Sequence, residues 1–526
     1  MTSNASNKLL ALPLSIQTFE SIICQNGLYV DKTAYLYQLV NEWELANKFF
    51  LSRPRRFGKS TTLTTLESIF LGKKELFEGL AISKTDYTWP VYPVIRLDMK
   101  WAAHPNLDRA EQSLLSALKD IAQSYALEID EGLPEDFFKK LIIRLYKKTH
   151  QKVVVLIDEY DKPLIDLFND IEEAKKIQGL LKRFYGVLKS ADEYLRFVLI
   201  TGVSKFTKVS VFSDLNHLTD LTMDTRYAAL CGYTQEELEF YFDPWIEQLA
   251  QIENKTKAEI LEKIKTWYNG YRLTKANIKV YNPWSTLHLF DKQSFENYWF
   301  ETGTPTFLVE AMQREAFDLN KLEQPVSDTD FSTYDIEKLQ IVPLLFQTGY
   351  LTIKNYDADL NAYQLDFPNY EVGQAFSAML VTAYCELGEG EGSGLRFRLI
   401  TALKHDKLED FFTAINQLLA KIPYHLHQKN EGYYHSIFIA VCTMAGVSVE
   451  PEKATSMGRA DAILQSSTSI YVIEFKINDT ADAALKQIKD NRYAEGFGYL
   501  NKKIISVGVA FDKNQRKIIE WKKAYD

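Results

Sequence analysis

Four short apolar runs decide what the first 230 residues can become: KFFLS at 48–52, YPVIRLDM at 92–99, KVVVLIDEY at 152–160 and LRFVLITG at 195–202. Each is rich in β-branched or aromatic residues and too short for a helix. They do not alternate apolar with polar, so both faces of each strand must be buried. Between them lie amphipathic stretches such as EEAKKIQGLLKRFYGVLKS. Strands buried on two faces and separated by helices predict an α/β fold, a parallel sheet covered on both sides.

The first run leads into Ser52-Arg53-Pro54-Arg55-Arg56-Phe57-Gly58-Lys59-Ser60-Thr61, and the helical text TTLTTLESIF follows. Strand, glycine-containing loop and helix start are the context of a phosphate-binding loop. Backbone N–H groups at the helix N-terminus receive phosphate oxygens, Lys59 reaches the outer phosphates and Ser60 serves Mg²⁺. One position departs from the general pattern: Arg53 stands where a glycine five residues before Gly58 is usual. The third run ends in Asp158 and Glu159, carboxylates placed to hold the Mg²⁺ shell and to orient water for attack on a γ-phosphate. Thr201 and Ser204, after the fourth run, are either sensors of that phosphate or ordinary strand-end residues. Arg226 is a candidate transition-state arginine or a salt-bridged surface residue.

From Tyr233 the text becomes helical, opening with the capping-box pattern Thr234-Gln235-Glu236-Glu237. The aromatic insert WYNGYRLTKANIKVYNPWS reads as a β-ribbon or loop, and residues 343–371 as a helix followed by a hairpin, the outline of a winged helix. Glycines from Gly388 to Gly394 are the candidate hinge. Three regions are therefore expected, 1–231, 232–395 and 396–526.

In the last region GRADAIL (458–464) and IYVIEFK (470–476) form a hairpin across a polar turn. Glu474 and Lys476 share one strand face while Ile473 and Phe475 take the other, and Asp461 lies on the partner strand. Two carboxylates bind Mg²⁺, and an adjacent ammonium steadies an attacking water, which suits phosphodiester cleavage. Glu431, opening EGYYHSIFIAV, either completes that metal site or caps its helix. Gln487 and Tyr493 follow on the next helical stretch, where they either touch a nucleic-acid backbone or base or are plain helix surface. His425, His427 and His435 have no partners at zinc spacing.

Composition narrows the partners. With 46% hydrophobic and 25% charged residues, 526 residues supply several cores rather than a disordered chain. The net charge of -9 argues against a general polyanion binder, but residues 401–526 carry 17 basic against 15 acidic side chains, so nucleic-acid contact belongs in the C-terminal quarter. Four scattered cysteines without a C-x-x-C pair, an N-terminus broken by Pro13 and no long apolar stretch read as a cytoplasmic chain with no membrane span.

The chain resembles a family with an N-terminal AAA-ATPase-like domain and a C-terminal PD-(D/E)XK nuclease-like domain. The carrying text is LYVDKTAYLYQLV, FFLSRPRRFGKSTTL, VVLIDEYDKPL, TGVSKFTKVSVFSDLN, RYAALCGYTQEEL, WYNGYR, VYNPWS, EGYYHSIF, GRADAIL, YVIEFKI and ALKQI. Arg53 looks like a feature of that family. The resemblance implies a P-loop NTPase sheet domain, a helical lid or winged-helix-like middle region and a restriction-endonuclease-like α/β tail. It implies ATP and Mg²⁺ as cofactors, with Arg56, Phe57, Gly58, Lys59, Ser60, Thr61 and Asp158 at the nucleotide and Glu159 catalytic. In the tail it assigns Asp461, Glu474 and Lys476 to the nuclease triad and Glu431 and Gln487 to support; the expected partner is a nucleic acid, DNA before RNA, with an ATP-driven switch or scaffold as the alternative and a homo-oligomer admitted.

Overall fold

The structure is a computed structural model that describes residues 10–41, 47–167, 170–204, 212, 218–299, 308, 312, 324–327, 330, 341–385, 391–422, 431–444, 448–455, 458–465, 468–494, 502–512 and 514–525. The chain divides into two compact units, Met1–Glu301 with Pro325–Asn369, and Thr302–Gln324 with Tyr370–Asp526.

In the first unit the four apolar runs become β1 (Lys48–Ser52), β2 (Val94–Asp98), β3 (Val153–Asp158) and β4 (Leu195–Gly202), joined by a two-residue β5 (Thr219–Asp220) that the sequence did not announce. Their order is β2-β3-β4-β1-β5, and every pairing is parallel. β3 is buried along its whole length. The helices Leu107–Ser124, Pro134–Thr149 and Ile171–Ser190 bury apolar faces in one core with it. Because β4 lies between β1 and β3, the loop after β1 and the carboxylates after β3 open on the same sheet edge, with the end of β4 between them.

The rest of this unit is helical with one small sheet. Helix Gln235–Tyr241 starts with the full capping box, Thr234 and Glu237 each bonding the other's backbone N–H. The aromatic insert makes two isolated bridges, Tyr233 to Tyr281 and Tyr271 to Val280, before helix Pro283–Lys292. Helix Ile341–Thr348 is followed by the hairpin β7 (Thr352–Asp357) and β8 (Ala362–Asp366), and β6 (Val326–Ser327) pairs with β8. The segment 325–369 therefore belongs with the parallel sheet's unit, and no compact unit breaks at residue 231 or 395.

The second unit carries helices and a mixed sheet of order β13-β12-β11-β10-β9, with β9 (Ser448–Thr455), β10 (Gly458–Gln465), β11 (Ser469–Ile477), β12 (Lys503–Asp512) and β13 (Lys517–Tyr525). Only β11 and β12 are parallel, joined across helix Ala481–Asp490. That helix closes tightly because Gly508 has no side chain; a Cβ there would strike the Ala481 carbonyl and Leu485. Of the expected hinge, Gly392 and Gly394 lie inside helix Glu391–Lys404, and 388–390 fall outside the described residues.

Candidate functional site

The loop after β1 turns at two left-handed residues, Arg56 (φ +68°) and Gly58 (φ +90°). Gly58 caps helix Lys59–Phe70, and a Cβ at Gly58 would meet nothing within 4 Å, so the backbone of the helix start faces open space. Arg53 shows why this loop dispenses with its first glycine. Its φ is not in the left-handed region, and its side chain runs into the protein, 1% exposed. Nη1 donates to the carbonyls of Ser52 (2.9 Å) and Thr222 (2.8 Å), Nη2 to that of Tyr227 (3.1 Å). An arginine here ties the loop to the segment after β5, where a glycine would supply freedom instead.

Lys59 is buried and its Nζ donates to the carbonyls of Arg53 (2.9 Å) and Pro54 (3.0 Å), folded along the inside of the loop. Burial lowers its pKa, and Asp158, Glu159 and Asp161 work against that shift. Ser60 Oγ donates to Asp158 Oδ2 at 2.6 Å, and Thr201 Oγ1 to Asp158 Oδ1 at 2.7 Å. Two oxygens so close on the ends of β3 and the loop helix fit a hard divalent cation that would take its remaining ligands from phosphate and water. Phe57 is core, edge-on to Tyr271 at 4.8 Å, and Thr61 is half-buried in the first helical turn.

Glu159 follows β3 with φ +49°, its carboxylate 3.2 Å from Lys100 Nζ. Burial opposes the charge of Lys100, but Glu159, Asp98 and Asp158 outweigh it and raise its pKa. Sequence reasoning missed Lys100, which sits two residues past β2. It also missed Asp161, the fourth residue of the run Asp158-Glu159-Tyr160-Asp161. That carboxylate is buried and accepts from the N–H groups of Val203 (3.1 Å) and Ser204 (2.7 Å) and from Ser204 Oγ (2.8 Å). Burial raises its pKa against those bonds. Ser204 is thus a clamp on Asp161, whereas Thr201 touches Asp158 directly. Arg226 forks onto Asp224, Nη2 to Oδ2 at 2.6 Å.

In the second unit β10 and β11 pair Ala462 with Ile473, which brings Asp461 level with Glu474. Asp461 Oδ2 accepts the Phe475 N–H at 2.7 Å, and Lys476 Nζ donates to Glu474 Oε1 at 3.1 Å. Glu474 is 2% exposed, and among the described residues its Oε2 has no hydrogen-bond partner. Burial first, then the charge of Asp461, pushes its pKa up to about 7. A buried carboxylate oxygen without a donor is costly unless something cationic meets it, so the pair fits a divalent metal. Among the described residues no group of three or more metal-ligating side chains forms a cage. Phe475 turns to the opposite face, against Phe438 at 4.5 Å.

Helix Ala481–Asp490 covers the Glu474 face, since Glu474 lies beside Gly508 in the register and Gly508 abuts that helix. Gln487 is half-buried on it. Tyr493 corrects the reading that it touches nucleic acid: it is 2% exposed, packed with Ile488 and Val472, because the chain turns inward directly after the helix. Glu431 opens helix Glu431–Met444, but its side chain and that of His435, with residues 425 and 427, lie outside the described residues.

A family model described as "Predicted AAA-ATPase" matches residues 13–212, and one for the PD-(D/E)XK nuclease superfamily matches residues 429–521. A protein of Azotobacter chroococcum mcd 1, described as an uncharacterized protein in the vnfD 5' region, is 35% identical over 524 residues, 97% of this chain and 98% of its own. Among the described residues no helix is long and apolar enough to cross a membrane.

Proposed function

The chain belongs to the family of this relative, with an AAA-ATPase-like domain followed by a PD-(D/E)XK nuclease-superfamily domain, and from that premise we propose an ATP-hydrolysing protein whose nucleotide state gates a metal-dependent nuclease acting on DNA. In the first unit the N–H groups after Gly58 and the ammonium of Lys59 bind the phosphates, once Lys59 leaves the carbonyls of Arg53 and Pro54. Ser60 and Asp158 would hold Mg²⁺, which would supply charge neutralisation at the outer phosphates. Glu159 orients the attacking water, released from Lys100 as the site closes.

In the second unit Asp461 and Glu474 would hold a divalent metal, whose chemistry when bound would be Lewis-acid activation of a phosphodiester, and Lys476 would steady the attacking water. The observation that carries the reading is Glu474, a carboxylate 2% exposed with an oxygen that meets no hydrogen-bond partner among the described residues. The test is cleavage of single- and double-stranded DNA and RNA with Mg²⁺ or Mn²⁺, with and without ATP. Metal-dependent cleavage of DNA that responds to ATP is the expected result. The net charge of -9 favours a second reading, an ATP-driven switch whose nuclease-like unit only binds a partner. A wild-type chain that binds DNA yet cleaves no substrate with either metal decides for that switch.

A further inference from the structure

Arg226 forks onto its own neighbour Asp224, and the phosphate loop itself carries a second arginine candidate. Arg56 is inside the phosphate loop, two residues before Gly58. Its φ of +68° is a conformation that costs a side-chain-bearing residue about 1 kcal/mol, so the surroundings must impose it. They do so from four sides. Trp299 Nε1 donates to the Arg55 carbonyl at 3.4 Å, and the Gly232 N–H donates to that of Phe57 at 3.3 Å. Phe57 meets Tyr271, and Gly349 lies so near Pro54 that a Cβ on it would come within 2.6 Å.

The side chain is held as deliberately as the backbone. The Arg56 guanidinium lies 4.0 Å from the centroid of the Trp284 ring. Trp284 is fixed in turn: its Nε1 donates to the Tyr298 carbonyl at 3.2 Å, its ring lies 4.3 Å from His288, and it is the second residue of a helix capped by Asn282. Stacking engages the face of a guanidinium and leaves its N–H groups, which lie in the plane, directed sideways for phosphate oxygens. Burial lowers the pKa of Arg56, and the leading charge that opposes this is that of Glu159.

We infer that Arg56 is a catalytic residue of the ATPase, acting within its own chain, and that Trp284 is the positioning residue that holds its guanidinium at the phosphate end of the loop. The inference rests on the ATP reading given above. In the step it serves, the oxygen of water bonds to the γ-phosphorus and the bond from that phosphorus to the β–γ bridging oxygen breaks. ADP leaves with the electron pair, and the proton of the water passes to Glu159 and then to the released phosphate. Arg56 meets the negative charge that grows on the bridging oxygen, an interaction stronger in the transition state than before it.

The experiment compares ATP binding by calorimetry, steady-state turnover, and binding of ADP with aluminium fluoride, a mimic of the phosphoryl group in flight. Arg56→Ala is expected to hold ATP within about threefold of wild type while turnover and affinity for the mimic fall about 100-fold. Arg56→Lys does not restore them, because an ammonium neither stacks flat nor forks. Trp284→Ala lowers kcat with little change in KM, and adds nothing when Arg56 is already alanine. Trp284→Phe, which keeps an aromatic face for the guanidinium, retains most turnover. Wild-type turnover and mimic affinity in Arg56→Ala overturn the catalytic role, as does a loss of ATP binding equal to the loss of turnover. A further drop from Trp284→Ala in the Arg56→Ala background overturns the positioning role. A wild-type chain that binds no ATP fails at the earlier reading, and this inference falls with it.

Discussion

The two sites handle their charges in opposite ways. In the first unit the protein satisfies its own ligands: Lys59 rests on two loop carbonyls, Asp158 takes hydroxyls from Ser60 and Thr201, and Glu159 pairs with Lys100. A nucleotide entering there exchanges existing bonds for its own, so its arrival must rearrange side chains. In the second unit one buried oxygen of Glu474 has no donor among the described residues, and burial pushes the pKa of the group up to about 7. A metal arriving there fills a deficit, and little has to move. The first arrangement suits a site that changes state, the second a site that waits ready.

The largest effects come from removing the groups that carry each arrangement. Lys59→Ala should weaken ATP more than about 100-fold by calorimetry, since its ammonium, held on the carbonyls of Arg53 and Pro54, is the cation placed to reach the outer phosphates. Glu159→Gln should keep that affinity and lose hydrolysis. Asp461→Ala and Glu474→Ala should each reduce cleavage at least about 1000-fold, and Lys476→Ala about 100-fold, with ATPase turnover intact. Cleavage that survives the Asp461→Ala, Glu474→Ala double variant would move the nuclease to another site or another protein. The comparison itself breaks if ATP affinity is indifferent to Lys59.

Next in size is the loop's internal strut. Arg53→Met keeps much of the volume but takes the arginine donor from the carbonyls of Ser52 and Thr222, while that of Tyr227 keeps the Leu230 N–H. Unmet buried acceptors cost about 1 to 3 kcal/mol each, and the set is coupled, so a loss of about 3 kcal/mol in urea denaturation is expected. Arg53→Gly, which restores the general loop pattern, should destabilise at least as much and gain no ATP affinity. A tighter-binding Arg53→Gly would show that the arginine limits the loop rather than supports it.

These residues also mark where the sequence stops being legible. Strand positions, the capping box at Thr234 and the hairpin after residue 343 are local patterns, written within a few residues of where they act. So is the face shared by Glu474 and Lys476. The role of Arg53 is not local, because the Thr222 and Tyr227 carbonyls it serves lie about 170 residues further on. Lys100 and Asp161 carried no signal beyond being charged near a strand end. Unit boundaries were the least legible of all. Residues 325–369 return to the first unit through contacts such as Asn369 Nδ2 on the Asn269 carbonyl at 2.9 Å and Thr352 on Arg272, where no composition change marks the border.

A smaller effect sharpens the deficit at Glu474. Its folded pKa of about 7 stands above the ordinary 4.5. Between those values the folded chain holds a proton that the unfolded chain has released, so stability falls as pH rises through that window and levels off above it. In chelator the wild type should lose about 2 kcal/mol between pH 5 and pH 8 at this site, and Glu474→Gln should flatten that slope. Mn²⁺ at pH 8 should restore the wild type and leave Glu474→Gln unmoved. Parallel curves for the two proteins would mean that the buried oxygen has a partner after all and that the contrast between the sites is gone.

The smallest effect separates core from contact surface in the second unit. Tyr493 accepts from Asn491 Nδ2 at 2.8 Å through its hydroxyl while its ring packs on Ile488 and Val472. Tyr493→Phe removes that one hydrogen bond in a partly buried setting and leaves the ring in place, so a cost of about 0.5 to 1 kcal/mol is expected. A residue that touched DNA through its hydroxyl would instead change substrate affinity and leave stability alone. Cleavage by Tyr493→Phe should therefore keep the wild-type KM, with the whole effect in the denaturation midpoint. If Tyr493→Phe raises KM several-fold at unchanged stability, the inward turn after helix Ala481–Asp490 opens when DNA binds, and the site that waits ready becomes one that moves.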